Sequence, residues 1–240
     1  LRFIEKRPIF SDNLSFLFPQ QAINHSMNAL PDLSPSLRLV SWNLFHEDGA
    51  TLEDIRLLLR MTQPDILLMQ EARVLMDRLP DLVGGYYSRV ALPGRVHGTA
   101  CWSRLPFSTA PQLYPLPPGL IIQRSAQLMT FEGRFGPFSI ANVHLSHGQL
   151  LNRRQLRLIG DHQHHRAVIM GDFNIVGPAL LPTFHDVGPR ETTHHMLNYV
   201  PFRLDRCLVR GFTPLKTRAY PRFGSDHHPI SVHLSPIPIL

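Results

Sequence analysis

Residues 37–71 read "LRLVSWNLFHEDGATLEDIRLLLRMTQPDILLMQE". The first seven residues, "LRLVSWN", form a short apolar run that stops at Asn43, as a strand does when it reaches the edge of a sheet. In "TLEDIRLLLRM", Leu52, Ile55, Leu58 and Leu59 fall on one face of a helix. Thr51 is placed to cap that helix, and Glu53 and Asp54 lie in its first turn. "PDILLMQE" is a second apolar run, closing on Glu71. Strand, helix and strand within 35 residues predict a crossover joining two parallel strands. Parallel strands end at the same edge of a sheet. Asn43 and Glu71 are therefore expected side by side at the edge where open α/β sheets place their ligands.

The same pattern recurs downstream. "GTACWSR" (98–104) and "SAQLMTF" (125–131) read as strands. "GPFSIANVHL" (136–145) carries His144 near its end. Gln149 to Ile159 reads as a helix. "RAVIMGDFN" (166–174) is a buried strand that delivers Asp172 and Asn174. "FRLDRCLVRG" (202–211) holds a strand containing Asp205, and "HPISVHL" (228–234) is the last. Ala110 to Gly119, with four prolines, reads as a loop. Many strands and few helices predict one α/β domain, with two mixed β-sheets packed together and helices outside. The domain is expected over 37–240. Leu1 to Ser36, interrupted by Pro8, Pro19, Pro31 and Pro35, shows no sustained period and reads as a poorly ordered lead-in.

The bulk properties bound the partners. Of 240 residues, 43% are hydrophobic, an ordinary globular share. No apolar run reaches the length of a membrane span. No secretory pattern with a cleavage site is recognisable, so a cytoplasmic location is expected. The formal charge is +6, and all basic residues but Lys6 and Lys216 are arginines. This balance favours a polyanionic partner that arginine can grip in pairs of hydrogen bonds. Cys101 and Cys207 lie in apolar strands and read as buried free thiols.

The polar residues at strand ends carry the chemistry. They are Asn43, Glu71, His144, Asp172, Asn174, Asp205, Asp226 and His227. Singly, each is an ordinary turn, cap or packing residue. Together they supply the carboxylate and amide oxygens that Mg²⁺ prefers, with imidazoles able to donate to a phosphate.

"SWN" (41–43), "LLMQEA" (67–72), "NVHLSHG" (142–148), "MGDFN" (170–174), "RLDRCLV" (203–209) and "GSDHHP" (224–229) resemble, in order and spacing, the endonuclease/exonuclease/phosphatase superfamily with its deoxyribonuclease-I-like fold. The likeness extends from about Leu37 to Leu234, and the tight loops look like those of compact bacterial members. It implies a four-layer sandwich and a metal-dependent phosphoesterase. Glu71 would be the principal metal carboxylate, with Asn43 beside it and Asp226 a second metal-side acid. Asp172 would orient or deprotonate the attacking water. Asn174 would hold a phosphate oxygen and steady that carboxylate. His227, its tautomer set by Asp205, would bond the scissile phosphate, and His144 would be the acid for the leaving oxygen. Arg124, in "QRSAQL", matches the family's arginine near the phosphate. The implied cofactor is Mg²⁺, replaceable by Mn²⁺. His228 is expected to pack, because neighbours on a strand point apart. Arg206 stands where the family often has an aromatic residue, and it is expected to point away from Asp205.

Nucleic acid is the expected substrate, with the protein acting as a monomeric nuclease on DNA. The arginines expected on the site face are Arg73, Arg95, Arg124, Arg153, Arg206 and Arg222. The alternative is a phosphatase, or a sphingomyelinase- or phospholipase-C-like hydrolase of a lipid or small phosphoester. A catalytically dead binding module on the same fold is a third reading. "DHQHH" (161–165), with His194 and His195, has the wrong spacing for a dizinc hydrolase and reads as a solvated polar turn.

Overall fold

The computed structural model describes residues 35–47, 49–119, 123–196 and 199–238. The expected lead-in lies outside the described residues for 1–34. Strand β1 (Leu37–Asn43), helix α1 (Leu52–Thr62) and strand β2 (Ile66–Arg73) form the crossover. The two strands are parallel, with Ser41 opposite Leu68 and Asn43 opposite Gln70. Thr51 starts α1 through a reciprocal cap, in which its hydroxyl accepts from Asp54 N at 3.2 Å and its own N–H donates to Asp54 Oδ2 at 2.9 Å. Gln63 ends the helix in a left-handed conformation, and Pro64 prevents its continuation.

After a short helical turn over 74–78 come α2 (Leu79–Val83), β3 (Tyr86–Val90), β4 (His97–Ser103), β5 (Gln112–Pro115), β6 (Ser125–Gly133), β7 (Gly136–His144) and α3 (Gln149–Asp161). The chain continues through β8 (Ala167–Asp172), β9 (His185–Asp186), β10 (His194–Met196), β11 (Val200–Phe202), β12 (Asp205–Arg210), β13 (Phe212–Ala219) and β14 (Ile230–Pro236). One six-stranded sheet runs β13-β14-β1-β2-β4-β3 and the other β5-β6-β7-β8-β12-β9, with β10 and β11 a separate hairpin. Both sheets are mixed. In each, a single parallel pair joined by a helix (β1 with β2, β7 with β8) sits among antiparallel neighbours.

Three apolar layers build the sandwich. Between the sheets, Leu39 and Leu68 of one meet Ile140, Val168, Met170 and Cys207 of the other. Outside the first sheet, Val40, Trp42, Leu67 and Met69 pack on Ile55 and Leu58 of α1. Outside the second, Ala141, Val143 and Ile169 pack on Leu156 and Ile159 of α3. The central strands are covered on both faces, which explains their continuous apolar runs.

Residues of one parity point between the sheets, and they become polar toward one edge. The series are Leu39, Ser41, Asn43; Leu68, Gln70; Ile140, Asn142, His144; Val168, Met170, Asp172; and Val209, Cys207, Asp205. Below that edge Gln70 Nε2 donates to Asn142 Oδ1 at 2.7 Å and to Ser41 Oγ at 3.1 Å. Asn142 Nδ2 donates back to Ala100 O at 2.9 Å. These buried amides join the two sheets.

The proline-rich stretch 110–119, expected as a loop, contains β5. Its partner is β6 alone, so Pro115 at the sheet's edge leaves no ladder bond unmade. Edge strands β3 and β13 and the β10–β11 hairpin carry no strong apolar run and were not anticipated. Helix α3 continues two residues beyond the expected end. No helix among the described residues is long and apolar enough to cross a membrane.

Candidate active site

The polar ends of these series converge on Asp172, which is fully buried. Its Oδ2 accepts from Asn43 Nδ2 at 3.1 Å and from Asn174 Nδ2 at 3.2 Å, and its Oδ1 accepts from Asn174 N at 3.0 Å. His144 Nε2 lies 3.3 Å from the same Oδ2, and His227 Nε2 lies 3.8 Å from it. Two backbone features aim these groups. Gly171 has φ +146°, and a Cβ there would meet Val143 O at 2.1 Å, so only glycine brings β8 this close to β7. Asn174 takes φ +51°, a left-handed conformation that asparagine tolerates.

Glu71 reaches the site through a bulge. By strict alternation it would face α1, but the β2–β4 register shifts between Met69 and Ala72, and Glu71 has φ +54°. The extra residue turns its carboxylate to the edge, a placement typical of bulges beside functional sites. Glu71 Oε1 then lies 3.9 Å from His144 Nε2. Its Oε2 accepts from the backbone N of His46 at 3.1 Å and contacts His46 Nδ1. Burial raises the Glu71 pKa, but the His46 contacts outweigh it and the carboxyl is lowered overall. His46 stacks on His97 with ring centres 3.9 Å apart.

The two site histidines are held in different states. His227 Nδ1 lies 2.8 Å from Asp205 Oδ2. Burial alone would depress its pKa; Asp205 and Asp172 more than offset that and raise it to about 10. His144 is pushed well below its usual value by burial and then by Arg124. Arg124 Nη1 meets His144 Nδ1 at 3.2 Å and can only donate, so neutral His144 carries its proton on Nε2, facing Asp172. Burial raises the Asp172 pKa, against the pull of His227.

The "GSDHHP" turn is anchored to β1. Ser225 Oγ donates to Asn43 O at 2.6 Å and accepts from His227 N at 3.0 Å, while Trp42 Nε1 donates to His227 O at 3.0 Å. His228 packs away from the site, with Nδ1 2.7 Å from Tyr220 O. Asp226 is more exposed. Its Oδ2 is 3.7 Å from His194 Nδ1, and His194 packs on the His227 ring at 4.4 Å. No hydrogen bond or ion pair joins it to Glu71 or Asn43. His194 is thus no solvated turn residue; the β10–β11 hairpin carries it to the site. Thr193 precedes it and accepts from Leu204 N and Asp205 N at 3.0 Å each.

Arg206 points away from Asp205, as expected, and is buried against Asp186 Oδ2 at 3.1 Å. It therefore cannot serve the site face as expected. Arg95 and Arg124 line a cleft with Glu71, His97 and His144. The sequence does not mark His46, His97, Thr193 or His194 as site residues: His46 and Thr193 lie in loops, His194 in a short hairpin and His97 at the very start of β4, where only tertiary contact sets the partner.

A polar edge of carboxylates, amides and imidazoles on two packed mixed sheets defines a phosphoesterase of the deoxyribonuclease-I-like class. The chain belongs to the Endonuclease/Exonuclease/phosphatase family, whose model matches residues 40–227. Members of this family are divalent-metal-dependent phosphoesterases. Solved structures share the fold. An endonuclease/exonuclease/phosphatase from Beutenbergia cavernae is 21% identical with TM-score 0.67, covering 85% of this chain and 72% of that one. One from Bacteroides vulgatus is 16% identical with TM-score 0.71, covering 84% and 99%. D. rerio TDP2 complexed with single strand DNA product is 18% identical with TM-score 0.68, covering 83% and 99%. No curated protein matches the chain.

Proposed function

We propose that the chain is a Mg²⁺-dependent phosphodiesterase acting on nucleic acid, with DNA the preferred substrate. The convergence of four donor side chains on Asp172 Oδ2 carries this reading. Glu71 and Asn43 offer hard oxygen donors at one edge, and among the described residues no hydrogen bond reaches Glu71 Oε1, so the donor set fits Mg²⁺ or Mn²⁺. Asp226 adds a carboxylate on the far side of His227. A divalent cation there would screen the charge on the phosphoryl and leaving oxygens.

The chain's own groups divide the remaining work. Asp172, held by Asn43 and Asn174, orients a water and takes its proton; burial, which raises its pKa, makes it a better base. His227 keeps its proton through Asp205 and donates from Nε2 to a phosphate oxygen. His144 presents its Nε2 proton toward the leaving oxygen, backed by Arg124. Asn174 steadies Asp172. Arg95 and Arg124 supply positive charge along the cleft, which suits a polyanion. The DNA-bound relative supports the same choice.

A second reading has one observation in its favour. A cleft of about 1200 Å³ has a wall of Ala179, Leu180, Phe184 and Phe202, with Arg157, Arg190 and Arg206 also lining it. Such a wall would suit a phosphoester with an apolar tail. The deciding experiment is a substrate panel in Mg²⁺ (plasmid and single-stranded DNA, RNA, phospholipids, inositol phosphates) run against Glu71→Ala. Nucleic-acid cleavage that disappears in the variant supports the first reading. Turnover of lipid alone selects the second.

A further inference from the structure

Beyond the Glu71 edge, the described residues bring together one further set of metal-ligating groups. One ligand atom from each of His194, Asp226 and His227 lies within 4.8 Å of the others. The hairpin makes this meeting, since His194 bridges to His227 as an isolated antiparallel pair. His194 Nδ1 is shielded from solvent and has no hydrogen-bond partner among the described residues, with Asp226 Oδ2 facing it at 3.7 Å. His227 Nδ1 is engaged by Asp205, which leaves Nε2 as the ring nitrogen available to a ligand. A carboxylate behind an imidazole, with the opposite nitrogen free, is the arrangement that orients histidine ligands in metal centres and makes them more basic.

We propose that His194, Asp226 and His227 form a second cation site, which takes a borderline metal such as Zn²⁺. Two imidazoles and one carboxylate are a nitrogen-rich set. It suits Zn²⁺ better than Mg²⁺, which prefers oxygen, and three protein ligands leave a position open for water. The ion takes the place of the proton on His227 Nε2. It thereby occupies the nitrogen that the proposed hydrolysis directs at phosphate, so a filled site blocks turnover while the Glu71 edge still holds Mg²⁺. Binding at this site does not depend on the hydrolytic reading.

The test is a Co²⁺ titration in excess Mg²⁺, followed by visible absorption and then by displacement with Zn²⁺. Wild type should develop the intense band of low-coordinate Co²⁺ and lose it on addition of one equivalent of Zn²⁺. Glu71→Gln should keep the band. His194→Phe, which preserves the ring packing on His227, should lose it, as should Asp226→Asn. His194→Cys, which returns a ligand atom, should regain it. Asp205→Asn should weaken Zn²⁺ binding by about 10- to 100-fold, the usual cost of removing a ligand's orienting partner. A band unchanged in both His194→Phe and Asp226→Asn, or lost in Glu71→Gln, overturns the proposal.

Discussion

Asp205 Oδ2 stands 2.8 Å from His227 Nδ1, and both side chains are out of solvent. The pair joins a residue at the start of β12 to one in the turn before β14. It fixes the ring so that only Nε2 faces Asp172. Asp205→Asn should therefore lower turnover by about 10²–10⁴-fold, the range of a positioned acid or base. His228→Ala should leave turnover near wild type, because His228 bonds Tyr220 O instead. Steady-state rates on the best substrate decide both, and equal losses in the His227 and His228 variants would reverse the assignment of the doublet.

The proposed role of Glu71 is to set the metal requirement. Activity should appear with Mg²⁺ or Mn²⁺ and vanish in EDTA. Glu71→Gln should raise the metal concentration needed for half-maximal activity far more than it changes thermal stability. Full activity in chelator would exclude the role given to Glu71.

The two histidines predict opposite limbs of a pH–stability curve measured in EDTA. His227 is raised in the folded state to about 10 from an ordinary 6.5. Its contribution is complete below pH 6.5 and is lost as pH rises toward 10. His144 is depressed, so the unfolded chain gains a proton below pH 6.5 that the folded chain refuses, and stability falls on the acid side. Urea midpoints across this range should flatten at the alkaline end in Asp205→Asn.

Glycine at 171 is a steric requirement. Gly171→Ala should destabilise the fold by more than about 1 kcal/mol, since alanine is strained at this φ and its Cβ meets the β7 backbone. Denaturant melts read the loss. An unchanged midpoint would mean that β7 and β8 are not held so closely.

Binding of Glu71→Gln protein to duplex DNA should weaken steeply with salt, with a log–log slope of about −0.9 for each phosphate contact. Arg124→Gln should make the slope shallower by roughly one contact. A flat salt dependence would direct attention to the cleft walled by Phe184 and Phe202.

Much of the site was legible because its residues end long, doubly covered strands. Asn43, His144 and Asp172 follow apolar runs whose period and length declare them, and a parallel crossover places their ends together. Glu71 was placed at the right edge without the bulge that turns it inward, since a single left-handed residue leaves no periodic trace. Asp226 stands with His194, which the sequence gives no reason to pair with it. The two lie 32 positions apart, and the hairpin that bridges His194 to His227 is too short to show a strand pattern. Arg206 was correctly directed away from Asp205 and wrongly counted on the site face, because its partner Asp186 belongs to a two-residue strand.

The amide pair Gln70 and Asn142 acts as a spacer between two half-sites. Asn43 and Glu71 ride on one sheet, and His144, Asp172 and Asp205 on the other, so the candidate site groups are only as well aligned as the sheets are. The spacer lies beneath them, out of reach of any substrate. Loops above can change length and charge to admit a different phosphoester without altering the gap across which the chemistry occurs. Conversely, a volume change deep between the sheets would detune that gap in a protein that still folds and still binds.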